Sequence, residues 1–292
     1  MGTVNQLIAV LRLGSRGARY NATRALQGLF ESENIKNADV ARQAIKPLVE
    51  MLSVGLEKEQ QAAIGTLIKL SSQSTSKALA IADAEVNPIE SIYRIFTSFC
   101  SLELKEDTTL LCSVLFANSR VRATSAASDC IQPLVELISI NSNSIQEVSV
   151  RALNNLLDDE QQAEVVAAHG AVVLLVGLVG GTNYPFLEAA ISALVKLGKD
   201  RPLCKLDMVK ARVIDAILEI LPDALNSLCG SIAEVICILK NNSSIAKSAA
   251  AARVVEPLFL CLTHPELSTW GQHRALQALV NILEKPQSLA NL

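Results

Sequence analysis

The chain repeats itself every 41 to 45 residues, and that period constrains its fold more than any other feature. One apolar phrase occurs at Ile45–Leu52, again at Ile131–Ile138, and again at Val255–Leu262. Weaker copies start at Asn87, Ala171 and Val213. Their equivalent positions are Pro47, Pro88, Pro133, Leu174, Ala216 and Pro257, in steps of 41, 45, 41, 42 and 41. One further step back reaches Gln6, inside another apolar run, Val4–Leu11. A second phrase follows about 20 residues after the first, at Ala22–Leu29, Ala63–Leu70, Val150–Leu156, Ala190–Leu197 and Arg274–Leu283. Its penultimate positions are Gly28, Lys69, Val114, Asn155, Lys196, Ile238 and Asn281, in steps of 41, 45, 41, 41, 42 and 43.

Both phrases place apolar residues at i, i+3, i+4 and i+7, the spacing of one helix face. Proline opens the first phrase in four of the seven units. That position suits it, because the N–H it lacks would have no intrahelical partner in a first turn. A shorter apolar segment, such as Ser76–Ala82 or Gln162–Ala168, precedes several units. Three helices in roughly 42 residues is the armadillo pattern. The expected fold is all-α: a right-handed superhelical α-solenoid of about seven armadillo repeats. Residues 1–292 read as a single array, with approximate repeats 1–43, 44–84, 85–129, 130–170, 171–212, 213–253 and 254–292. A local strand reading of Val172–Val179 yields to that context. Neither terminal unit shows the polar outer face of a capping repeat. The expectation is therefore a piece of a longer array, able to self-associate through uncapped ends.

Composition agrees and removes several function classes. Half the residues are apolar but only ten are aromatic, which suits helices packed on helices. A net charge of −3 excludes a globally basic nucleic-acid binder. None of the seven cysteines forms a C-x-x-C pair, so reduced buried thiols are expected. The three histidines, His169, His264 and His273, lack ligand spacing, so no metal site is expected. No G-x-S-x-G elbow and no phosphate-binding loop is present, so neither catalysis nor a cofactor is expected. Asp158, Asp159 and Glu160 read as an acidic helix end. The most apolar stretch, Ala163–Gly181, is interrupted by Glu164 and His169 and falls short of a membrane span.

Several runs go beyond the generic repeat: Leu194–Arg201, Cys204–Ala211, Val255–Leu260, Ala278–Gln287, Gly17–Leu29 and Glu57–Gln60. In these the chain resembles the plant cellulose synthase interactive proteins, and the resemblance covers nearly its whole length. Members of that family are long armadillo arrays ending in a C2 domain, and no such domain is expected within residues 1–292. The resemblance implies a scaffold between cellulose synthase complexes at the plasma membrane and cortical microtubules. Its implied partners are cellulose synthase catalytic subunits and tubulin, with indirect membrane association and no nucleic acid. A competing reading is the substrate-recruiting armadillo region of a plant U-box ubiquitin ligase; the quoted runs count against it.

Two surfaces are candidates for partner contact. The first is the row of penultimate third-helix positions, where importin-type armadillo proteins keep an asparagine ladder. Here Asn155 and Asn281 match, while Lys69 and Lys196 replace asparagine. With Trp270 the single tryptophan, the companion tryptophan ladder is missing, which disfavours an import-type adaptor. The alternative for this row is a solvated helix face. The second surface is the basic stretch of Lys196, Lys199, Arg201, Lys205, Lys210 and Arg212. It reads either as attraction to an acidic partner or as an ordinary loop between repeats five and six. Arg12, Arg16, Arg19 and Arg24 form a smaller basic group, read as solubilising surface.

Overall fold

A computed structural model of the chain describes residues 2–72, 74–84, 87–181, 186–220, 226–240 and 269–283, with positions 255, 258, 259 and 262 between. Every regular element among the described residues is a helix. The chain divides into two compact units, Met1–Gln162 and Ala163–Leu292.

The first unit opens with α1 (Gly2–Leu13) and α2 (Arg16–Leu29). Three groups follow, each ending in a second and a third helix. The first group is α3 (Glu33–Lys36), α4 (Asp39–Arg42), α5 (Ile45–Val54) and α6 (Glu57–Ser71). The next is α7 (Thr75–Ala82), α8 (Pro88–Thr97) and α9 (Leu102–Phe116). The last is α10 (Ser119–Arg122), α11 (Ser125–Asp129), α12 (Ile131–Ile138) and α13 (Asn143–Leu156). Helix α14 (Glu160–Ala168) leads into the second unit. That unit contains α15 (Ala171–Val179), α16 (Leu187–Gly198), α17 (Pro202–Lys210), α18 (Val213–Ile220), α19 (Asn226–Lys240) and α20 (Thr269–Leu283). The apolar run Val172–Val179 is thus helical, as the repeat context requires.

Local chemistry starts these helices where the sequence places them. Pro88 and Pro202 occupy the first turns of α8 and α17. Asn87 caps α8, its Oδ1 accepting from the amides of Ile89 at 3.0 Å and Glu90 at 3.4 Å. Ser101, Asn118 and Thr124 cap α9, α10 and α11 in the same way. Asp159, expected at an acidic helix end, caps α14 by accepting from the amides of Gln161 and Gln162.

Packing follows the period. In the first unit the third helices α2, α6, α9 and α13 pack in chain order, as do the second helices α1, α5, α8 and α12. One position per third helix forms the buried column Leu26, Leu67, Cys112 and Leu153. In the second unit α16, α19 and α20 pack successively, and Leu194, Ile236 and Leu279 hold the same register. Full burial of each such side chain contributes about 1.5–3 kcal/mol. Four residues N-terminal to this column sits a smaller buried row in the first unit: Ala22, Ala63, Thr108 and Ser149.

Candidate protein-binding surfaces

The third-helix row is less open than its spacing implies. The Nδ2 of Asn155 on α13 donates to the carbonyl of Ser113 on α9 at 2.8 Å. That carbonyl belongs to the last turn of α9, where no intrahelical donor remains. Asn155 therefore ties two neighbouring third helices together. Lys69 on α6 forms an ion pair with Glu31, in the turn after α2. In the second unit Lys196 is half-buried on α16. The side chain of Asn281 lies outside the described residues, as does most of the Val255–Leu262 phrase. The positions keep their helical register, but Lys69 and Asn155 are engaged within the fold.

Carboxylates on the first unit's third helices escaped the sequence reading. Glu106 on α9 and Glu147 on α13 are 41 residues apart, one repeat step, and that spacing was the available signal. Glu106 accepts from the Ser144 hydroxyl at 2.9 Å, and Glu147 pairs with Arg151. Beside them, burial raises the carboxyl pKa of Asp107; a hydrogen bond from Gln61 opposes the shift, and Glu103 and Glu106 add to it.

The basic stretch is not a loop. Residues 202–210 form α17, anchored by buried Cys204 and Met208 at i, i+4 spacing. The structure also sorts its cations. Arg201 donates from Nη1 to the Lys196 carbonyl at 3.2 Å, closing the end of α16. Lys210 pairs with Asp207 at 3.3 Å, and Arg212 with Asp215 at 2.9 Å. Lys199 is exposed and Lys205 half-exposed. Leu203, 76 % exposed, stands between them in the chain, and Leu206, also exposed, follows Lys205. These leucines were missed because they show as a patch only once the segment is read as a helix. The outer face of α17, with Lys199 in the turn before it, is therefore mixed, cationic and apolar.

A cleft of about 560 Å³ in the second unit is lined by Val176, Gly177, Arg212, Asp215 and Glu219 of α15, α18 and the turn before α18. No histidine or cysteine lines it. Among the described residues no three His, Cys, Asp or Glu side chains gather as metal ligands. His169 is exposed, its Nδ1 2.8 Å from the Val165 carbonyl. Burial raises the thiol pKa of Cys112 and Cys204, which disfavours thiolate chemistry at either. No single helix among the described residues is long and apolar enough to cross a membrane.

Comparison with known proteins adds to this geometry. Residues 118–158 match the Armadillo/beta-catenin-like repeat family. Over 290 residues, 99 % of this chain, it is 49 % identical to Protein CELLULOSE SYNTHASE INTERACTIVE 3 of Arabidopsis thaliana. It is 38 % identical, over its full length, to Protein CELLULOSE SYNTHASE INTERACTIVE 2 of the same plant. The chain spans 14 % of the length of each relative. Among solved structures, a designed armadillo repeat protein superimposes with a TM-score of 0.71 at 16 % identity, over 82 % of this chain and 99 % of that one. The last likeness establishes the armadillo α-solenoid fold alone.

Proposed function

The chain is an armadillo-repeat homologue of the cellulose synthase interactive proteins, and from that premise we propose that it is a non-catalytic segment of a scaffold joining cellulose synthase complexes to cortical microtubules. It acts at the cytoplasmic side of the plasma membrane, with membrane association indirect. That the chain is a protein-interaction scaffold rests on the repeats and on homology along its whole length. The observation that carries the finer reading is the outer face of α17 together with the turn before it, which holds Lys199. Lys199 and Lys205 offer positive charge to an acidic protein surface, and Leu203 and Leu206 add apolar contact beside it. Charges of this kind steer association and set its salt dependence, while the apolar contact slows release. The third-helix row, with Lys69, Asn155, Lys196 and Asn281, has a smaller part, because Asn155 and Lys69 already hold neighbouring elements. The test is a pull-down of the chain on immobilised cytosolic segments of a cellulose synthase catalytic subunit and, separately, on polymerised tubulin. Retention on at least one, weakened by salt, is expected; retention on neither contradicts the reading.

A further inference from the structure

An edge of the first unit carries exposed apolar side chains in the register of the repeat. Leu13 ends α1, Val54 ends α5, and Phe99 follows α8, each at the turn between a second and a third helix. The steps between them are 41 and 45 residues, the same as those of the buried phrases. Leu13 is 88 % exposed, Val54 is 64 % exposed and Phe99 is fully exposed. Leu56 and Leu102 stand beside the second and third rungs, each more than half exposed. Single exposed apolar residues need no explanation, but a row repeated at equivalent positions does.

Its charges point to one occupant. Exposed Arg12 stands at the first rung together with Arg16, whose side chain is 62 % exposed and whose Nε lies 3.4 Å from Glu59. Exposed Glu103 stands at the third rung, and Glu57 and Lys58 are adjacent at the middle one. A two-fold axis at the middle rung places Val54 on its own equivalent and Leu13 on the partner's Phe99. The same rotation sets Arg12 and Arg16 against the partner's Glu103. It also opposes Glu57 to the partner's Lys58. The row is thus self-complementary in spacing, in apolar character and in sign of charge. Packed helices lie 8–10 Å apart, so three rungs span about 20 Å. Five side chains of this size present on the order of 600 Å² per copy, and pairing removes about 1,200 Å², above the roughly 1,000 Å² of a specific interface.

We infer that the edge formed by Leu13, Val54, Leu56, Phe99 and Leu102 is a two-fold interface with a second copy of this chain. The contact is isologous and closed, and so differs from head-to-tail joining of array ends.

The test is sedimentation equilibrium of the 292-residue chain from about 1 to about 100 μM, the range in which an interface of this size exchanges. The expected mass rises from one chain to two and stops there. Phe99→Asp, a change at a solvent-exposed site, raises the dissociation constant at least about tenfold, with helix content unchanged by circular dichroism. Glu103→Arg weakens pairing, and adding Arg12→Glu in the same chain restores part of it. A one-chain mass at the highest concentration overturns the inference, as does association that Phe99→Asp leaves intact.

Discussion

Ser149 is fully buried and its hydroxyl oxygen has no hydrogen-bond partner. Ala63 and Ala190 occupy the same repeat position, so the site accepts a methyl group. Ser149→Ala removes the desolvation cost of the unpaired hydroxyl and is expected to raise unfolding stability by about 1 kcal/mol in urea titration. An unchanged or lower midpoint contradicts that account. Asp107 gives a second prediction, in which pH sets the sign. Its carboxyl pKa is raised in the folded chain, chiefly by burial, so the unfolded chain gives up that proton first as pH rises. The stability tied to Asp107 is present below the unfolded value and is lost as pH rises through the folded one. Asp107→Asn should therefore be more stable than the natural chain at neutral pH, and the gap should close below about pH 4. A gap of constant size at both pH values rules this out. At this scale the sequence disclosed which positions share a face, because burial imposes the helical period. It did not disclose what lies across from them. Nothing in the local sequence of Asn155 specifies that the Ser113 carbonyl, 42 residues earlier, is its acceptor.

Helices with a wide apolar face were legible, and those with a thin one were not. The second and third helices bury several residues per turn pair, so their phrases repeat visibly. Helix α17 fully buries only Cys204 and Met208, and apart from half-buried Val209 its remaining positions are polar or exposed, which is why it reads as a charged loop. The turn that follows it has its own constraint. Arg212 adopts a left-handed backbone with φ of 61°, and Gly170, 42 residues earlier, has φ of 74° at the turn between α14 and α15. The geometry recurs in the repeat, but only Gly170 meets it without steric cost. The Arg212 side chain is 78 % exposed, so its pair with Asp215 is screened by solvent and offsets little of that cost. Arg212→Gly is expected to stabilise the chain by about 1 kcal/mol, read as a higher urea midpoint. A destabilised variant would show that the pair with Asp215 matters more than the backbone.

At the scale of the molecule, stability in a stack of this kind comes from each repeat covering its neighbour, so surfaces are left free for partners along its length. Two such surfaces differ in kind. The edge of the first unit is apolar with charges of both signs beside its rungs, whereas α17 and the turn before it in the second unit are cationic with two exposed leucines. Both were only partly visible in the sequence. The lysines could be counted, but which cations close helix ends and which face solvent depended on the fold. That distinction decides how the scaffold reading is best examined. Lys199→Glu with Lys205→Glu reverses the solvent-facing charge and spares Arg201, whose guanidinium closes α16. The decisive measurement is co-sedimentation of the natural chain and this double variant with microtubules across a salt series. Binding at low salt that fades as salt rises, and is at least about tenfold weaker in the variant, is the predicted result. Equal binding by both chains, or none by the natural chain at low salt, would contradict a microtubule contact through α17.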